Sequence, residues 1–273
     1  MFLLGGVSLT AQELLGPAQN SVNYSIEKEA ALGKQLAEDL HQRTTSIDKP
    51  DIRTYVEGLG QRIAASLPEA RVPFTFSVIA DDLCPTIQEP TALPGGYIFI
   101  PAALLLAARD EAEFAGILAH AMVHVSRRHG AKTATATTAF ATIPLIFMGG
   151  SPCSVGWAIP SGYSALHRAN ELEADSSAVQ TMAEAGFDPM ALVRYVERVQ
   201  PQQNNMGQST FQSLPDRDQR VANMRSIIST LPSAKYVAPS EWFTTIQEEL
   251  RKIKDRSTRP RVPPTLKRSG ERE

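Results

Sequence analysis

The chain has 273 residues, enough for one sizeable domain with its own core. A hydrophobic content of 42% and a charged content of 21% fit a soluble globular protein, and a formal net charge of −2 lacks the basic excess of a nucleic-acid binder. Cys84 and Cys153 could pair in an oxidising compartment, but two cysteines make no disulfide scaffold, and no internal repeat is visible.

Met1 to Gln12 is a short apolar opening that ends in small residues. It reads as the tail of a secretory signal peptide, with a frayed terminus as the plainer reading, and points to export. The apolar run is far short of the ~20 residues that a membrane span needs. Residues 1–20 are set apart as this leader or flexible end, 21–254 as the folded domain and 255–273 as a basic, Pro-rich disordered tail.

Ser25 to His41 reads as a helix, with Ser25 as N-cap, Glu27 and Glu29 in the first turn, and Ile26, Ala30, Leu32, Leu36 and Leu40 as its apolar stripe. Thr44 to Pro50 is a turn. Asp51 to Ser66 is a second helix with Ile52, Tyr55, Val56, Leu59 and Ile63 inward. Phe74 to Ile79 is β-prone, and Asp81 to Pro90 is an irregular loop. Thr91 to Ile100 reads as a strand entered through Pro94-Gly95-Gly96, where glycine permits close approach of another backbone. Ala102 to Ala108 leads into the next helix.

That helix, Asp110 to His129, is the one around which the chain is organised. Asp110 is the expected N-cap with Glu113 three residues on, Arg127 and Arg128 suit the other end, and Gly130 is a natural stop. Its centre reads His120-Ala121-Met122-Val123-His124. Histidines four apart share a helix face and can reach one metal ion. By chance about one chain in ten of this histidine content carries such a pair, so the spacing alone decides little. Phe114, Ile117, Leu118, Ala121 and Val125 make the helix broadly apolar, hence buried, and two buried imidazoles need partners that a metal would supply. His129 is turned away from the His120 face and reads as a helix-end cap.

Ala131 to Pro160 is apolar in part but broken by Pro144 and Gly149-Gly150. It reads as a core helix or a flap rather than a membrane span. Ala165 to Ala185 is an amphipathic helix in which Glu171 and Asp175 share a face and Glu173 points elsewhere. Glu171 is the candidate third ligand and Asp175 the acceptor for a ligating imidazole's second N–H; a solvated acidic face is the bland alternative. Asp188 to Val199 is a helix entered through Pro189, Gln200 to Thr210 a polar loop, and Glu241 to Lys254 a last amphipathic helix.

Four segments, taken together and in this order, resemble one family. They are Leu93-Pro-Gly-Gly-Tyr-Ile-Phe-Ile100, Asp110-Glu-Ala-Glu-Phe-Ala115, Leu118-Ala-His-Ala-Met-Val-His-Val125 with Arg128-His129-Gly130, and Arg168-Ala-Asn-Glu-Leu-Glu-Ala-Asp175. From about Ser25 to Leu231 the chain is similar to the HtpX-like and CAAX-prenyl-protease-type zinc peptidases of the gluzincin clan, in particular their soluble periplasmic BepA-like and LoiP-like branch. The resemblance implies an α+β, mostly α, zincin-like domain with a small sheet. Its edge strand, holding Gly95, Gly96, Tyr97, Ile98 and Phe99, would bind a peptide or unfolded protein as an added strand. It implies one zinc ion on His120, His124 and Glu171, Asp175 behind them, and a location in the bacterial periplasm or cell envelope. It also implies a glutamate at position 121, as proton acceptor in hydrolysis by metal-activated water. Ala121 cannot do that work. Such a chain should hold zinc and peptide yet turn over extremely slowly, whether the alanine was introduced or marks a natural pseudo-peptidase with a binding or chaperone-like role. Phe211 to Arg225 resembles the family's His-Pro-x-x-x-x-Arg-Ile segment, with Leu214 in place of the histidine and Arg220 matching the arginine. Arg220 is assigned an oxyanion role, a brace for Glu171, or a plain surface position.

Overall fold

The computed structural model describes residues 25–68, 72–80, 89–132, 161–200 and 214–258. Helices dominate, joined to a three-stranded sheet among the described residues. Helix α1 (Ile26–Arg43) starts at Ser25, whose Oγ accepts from the Lys28 N–H at 3.3 Å. Helix α2 (Pro50–Ala64) begins on proline, whose fixed φ suits the first turn. It buries Ile52, Tyr55, Val56, Leu59 and Ile63, the stripe expected from the sequence. Each such side chain stabilises the fold by about 1.5–3 kcal/mol relative to exposure.

The segment between α1 and α2 is more than a turn. Ile47 N–H donates to Val78 O and Ala80 N–H to Thr45 O, so it runs along the outer side of strand β1 (Thr75–Ile79). The single strand expected over Thr91 to Ile100 is instead a hairpin, β2 (Thr91–Leu93) and β3 (Tyr97–Pro101), folded over a 3-10 turn at Pro94–Gly96. Gly95 and Gly96 have φ of 79° and 92°, a region that side chains disfavour, and they reverse the chain there. A Cβ on Gly96 would also lie 2.0 Å from the Pro73 carbonyl oxygen. The sheet order is β1-β3-β2, with β1 and β3 parallel and β2 and β3 antiparallel. Tyr97, Ile98 and Phe99 therefore lie on the central strand, paired on both sides. The edge beside the helices is β2.

Helix α3 (Ala102–Ala107) leads to α4 (Glu111–Ser126). Asp110 caps α4 by accepting from Glu113 N–H at 2.8 Å. Glu113 returns the bond one residue earlier than expected, to Arg109 N–H at 2.9 Å, and pairs with Arg198. From Phe114 to Val123 every residue of α4 is buried, because α2, α5 (Ser161–Glu184) and α6 (Met190–Val199) pack around it. The helix ends at Ser126, earlier than Gly130 would require. Arg128 takes the left-handed conformation, φ 56°, and its guanidinium reaches Glu29 at 2.7 Å. Helix α7 (Arg217–Thr230) packs on α5 and α6. Helix α8 (Glu241–Thr258) extends past Lys254, so residues 255–258 are helical and not part of a disordered tail. Its Gln247 donates to the carbonyls of Leu105 and Ala108 at 2.7 and 2.8 Å, closing the end of α3. No described helix is long and apolar enough to cross a membrane. The opening at 1–20, the 133–160 segment, the loop at 201–213 and both cysteines fall outside the described residues.

Candidate metal centre

Helices α4 and α5 lie against each other, and their packed faces carry the polar groups. His120 and His124 project from α4, one turn apart. Glu171 projects from α5. The donor atoms of these three residues all lie within 4.8 Å of one another. His120 Nε2 is 3.1 Å from His124 Nε2 and 3.3 Å from Glu171 Oε2, and His124 Nε2 is 3.5 Å from Glu171 Oε1. His120 and Glu171 are each 2% exposed. Two imidazoles and one carboxylate are a donor set that zinc accepts. Glu171 Oε2 is buried and makes no hydrogen bond among the described residues, a state that costs free energy unless a cation meets it. The residues therefore fit a metal ion.

The charges agree. Burial disfavours a charged His120, but the carboxylates of Glu89, Asp175 and Glu171 outweigh it and push its imidazole up to about 10. Burial holds His124 well below the usual histidine range. The facing nitrogens lie 3.1 Å apart among carboxylates that favour positive charge, which a bound cation would supply. Burial would raise Glu171, but His124 and His120 hold its carboxyl well below the ordinary value.

Behind His120 stands a fully buried ion pair. Asp175 is 0% exposed, and its Oδ1 lies 3.1 Å from His120 Nδ1, close but poorly aligned as a hydrogen bond. Arg220, from α7, donates to both Asp175 oxygens at 2.7 Å. Arg220 also donates to Gln200 Oε1 at 3.1 Å, and Gln200 donates to the Pro215 carbonyl at 2.8 Å. Burial would raise the Asp175 carboxyl; the Arg220 guanidinium overcomes it and holds it below the usual carboxylate range. Of the roles left open for Arg220, the geometry supplies a brace for Asp175 rather than for Glu171.

Ala121 lies on α4 between the two histidines, 3% exposed, with a methyl group that can accept no proton. Glu89 Oε1 comes to 3.9 Å from His120 Nε2, with its side chain 40% exposed. No sequence signal marked Glu89, because it reaches the histidine only through tertiary placement. His129 is not a helix-end cap: it is 3% exposed, its Nδ1 lies 3.1 Å from His124 Nδ1, and its Nε2 lies 3.3 Å from Glu173 Oε2. Glu173, expected to point away, is the acceptor there. The His129 bond holds its carboxyl down to about 2, against burial. His167 Nδ1 lies 3.7 Å from Glu171 Oε1, on the rim of the site. His41 packs edge-on against Phe99, away from it.

Several characterised proteins are similar to this chain in sequence. The chain is 26% identical over 236 residues to the beta-barrel assembly-enhancing protease of Yersinia pestis, covering 80% of this chain and 48% of that protein. It is 27% identical over 190 residues to the beta-barrel assembly-enhancing protease of Escherichia coli, covering 64% of this chain and 38% of that protein. It is 28% identical over 226 residues to the mitochondrial metalloendopeptidase OMA1 of Schizosaccharomyces pombe, covering 79% and 64% of the two chains. The chain thus spans less than half the length of these bacterial relatives. Residues 50–228 match Peptidase family M48, which is more than half of the sequence, and the chain belongs to that family.

Proposed function

We propose that this chain is an exported metalloendopeptidase of the cell envelope, built to hold one zinc ion on His120, His124 and Glu171, and that Ala121 leaves it nearly inactive toward peptide bonds. The observation that carries the reading is the buried cluster of two imidazoles and one carboxylate, in which Glu171 Oε2 has no hydrogen-bond partner among the described residues. Zinc held there supplies Lewis acidity, lowering the pKa of a bound water to about 7 and polarising a carbonyl. The protein's own residues do the rest. Asp175, fixed by Arg220, orients His120. Among the described residues no strand pairs with the outer edge of β2, and an extended peptide added there would lie beside α4. The substrate class is an unfolded or extended protein segment, in keeping with relatives named for assembly of beta-barrels.

A second reading is carried by Ala121 itself: a metal-stabilised peptide-binding or chaperone-like protein. One experiment separates the two. Zinc-loaded Ala121→Glu is assayed on casein with and without a chelator. The peptidase reading expects a gain of about 10²–10⁴-fold that the chelator abolishes. No gain in a folded, zinc-loaded variant would leave the binding reading.

A further inference from the structure

Outside the three ligand residues, the most unusual group in the molecule is His129. It is a buried imidazole that the reading above does not use. On an unbroken helix it would sit roughly 140° round from His124. Arg128 breaks the helix with φ 56°, and the chain re-enters a helical turn that lays the His129 ring edge-on against His124, centroids 4.9 Å apart at 84°. The backbone turn thus exists with its imidazole pressed on the back of a candidate ligand.

We propose that His129 and Glu173 form a positioning relay for His124, matching the Asp175–Arg220 pair behind His120. The proposal rests on the metal-centre reading above. If His124 offers Nε2 to the cation, its only proton is on Nδ1, which must donate. The atom 3.1 Å away is His129 Nδ1, which must then be the acceptor. That places the proton of His129 on Nε2, and the atom 3.3 Å from it is Glu173 Oε2, an obligatory acceptor when ionised. Arg127 at 3.6 Å and Lys132 at 3.9 Å lie beside the same carboxylate. Every donor meets an acceptor under one assignment. The opposite tautomer of His129 would set two N–H groups against each other and leave Glu173 facing a bare nitrogen. Glu173 lies two residues from Glu171 on α5, so one helix supplies both a ligand and the end of the relay. His129 touches neither substrate nor metal and is a positioning residue. An imidazole locked in the correct tautomer binds metal without first being reoriented.

The test uses the full chain and two readouts. Zinc affinity is measured by competition with a chromophoric chelator for the unaltered protein, His129→Ala, His129→Gln and Glu173→Ala, with His120→Ala as the non-binding control. Nitrogen-15 NMR of the imidazoles reads which nitrogen of His124 and His129 bears the proton. The relay expects about 10–100-fold weaker zinc binding in His129→Ala and Glu173→Ala. Binding should recover in His129→Gln, whose amide can both accept and donate, and the protons should sit on Nδ1 of His124 and Nε2 of His129. Folded His129→Ala and Glu173→Ala that bind zinc within threefold of the unaltered protein would overturn it. So would a proton on Nδ1 of His129. Should His129→Ala fail to fold, Glu173→Ala and the tautomers of the unaltered protein decide. If the unaltered protein binds zinc no better than His120→Ala, the metal-centre reading fails, while the tautomers still test the relay.

Discussion

Replacing Arg220 with leucine removes the guanidinium that both Asp175 oxygens bond at 2.7 Å, inside a region where the two residues are 4% and 0% exposed. A buried carboxylate left alone costs far more than a surface one, because no water replaces the lost donors. Breaking such a pair from one side destabilises by about 3–5 kcal/mol. For a domain of this size that lowers Tm by roughly 6–20 °C. The effect must also depend on pH. With Arg220 present, the Asp175 carboxyl lies below its unfolded value near 4, so the pair's stability is present above that value and is lost as pH falls through the folded one. In Arg220→Leu, His120 is left to offset burial without the guanidinium, so the Asp175 carboxyl rises, and the variant is penalised at neutral pH and relieved once Asp175 is protonated. Thermal melts of both proteins at pH 7 and pH 4 should show a gap that is wide at pH 7 and narrower at pH 4. A gap under about 2 °C at pH 7, or one equal at both pH values, would refute the claim that Arg220 neutralises a buried charge.

Zinc at about 100 times its Kd should stabilise the folded chain by about 2.7 kcal/mol and raise Tm by roughly 5–11 °C, in a chelator-reversible way that His120→Ala abolishes. Differential scanning fluorimetry with and without chelator checks it. Tyr55 donates to Glu111 Oε1 at 2.8 Å between two buried side chains, so Tyr55→Phe should cost about 1–3 kcal/mol in urea denaturation with zinc binding unchanged. A Cβ on Gly33 would stand 1.7 Å from the Pro94 carbonyl oxygen, so Gly33→Ala must push α1 off the 3-10 turn. The expected loss is about 1–3 kcal/mol, read as a lower urea midpoint.

The elements most legible in the sequence were those whose information is periodic and local. The α2 stripe from Ile52 to Ile63 and the histidines one turn apart on α4 follow from 3.6-residue spacing, and Asp110 as N-cap follows from capping chemistry. So does the shared face of Glu171 and Asp175 on α5, which brings one carboxylate to the histidines and the other behind His120. What depended on tertiary placement was legible only in part. Thr91 to Ile100 is uniformly β-prone, and only the positive φ at Gly95 and Gly96 splits it into a hairpin whose second strand is central. Arg220 carried a family match but no partner, because it lies 45 residues from Asp175 and meets it only when α7 packs on α5. Helical geometry continued across Arg128 turns His129 away from His124, but the chain goes left-handed there and carries the ring back onto it. Spacing encodes what one helix can present. Which groups then meet, and which proton each holds, is set by the packing of distant segments against one another.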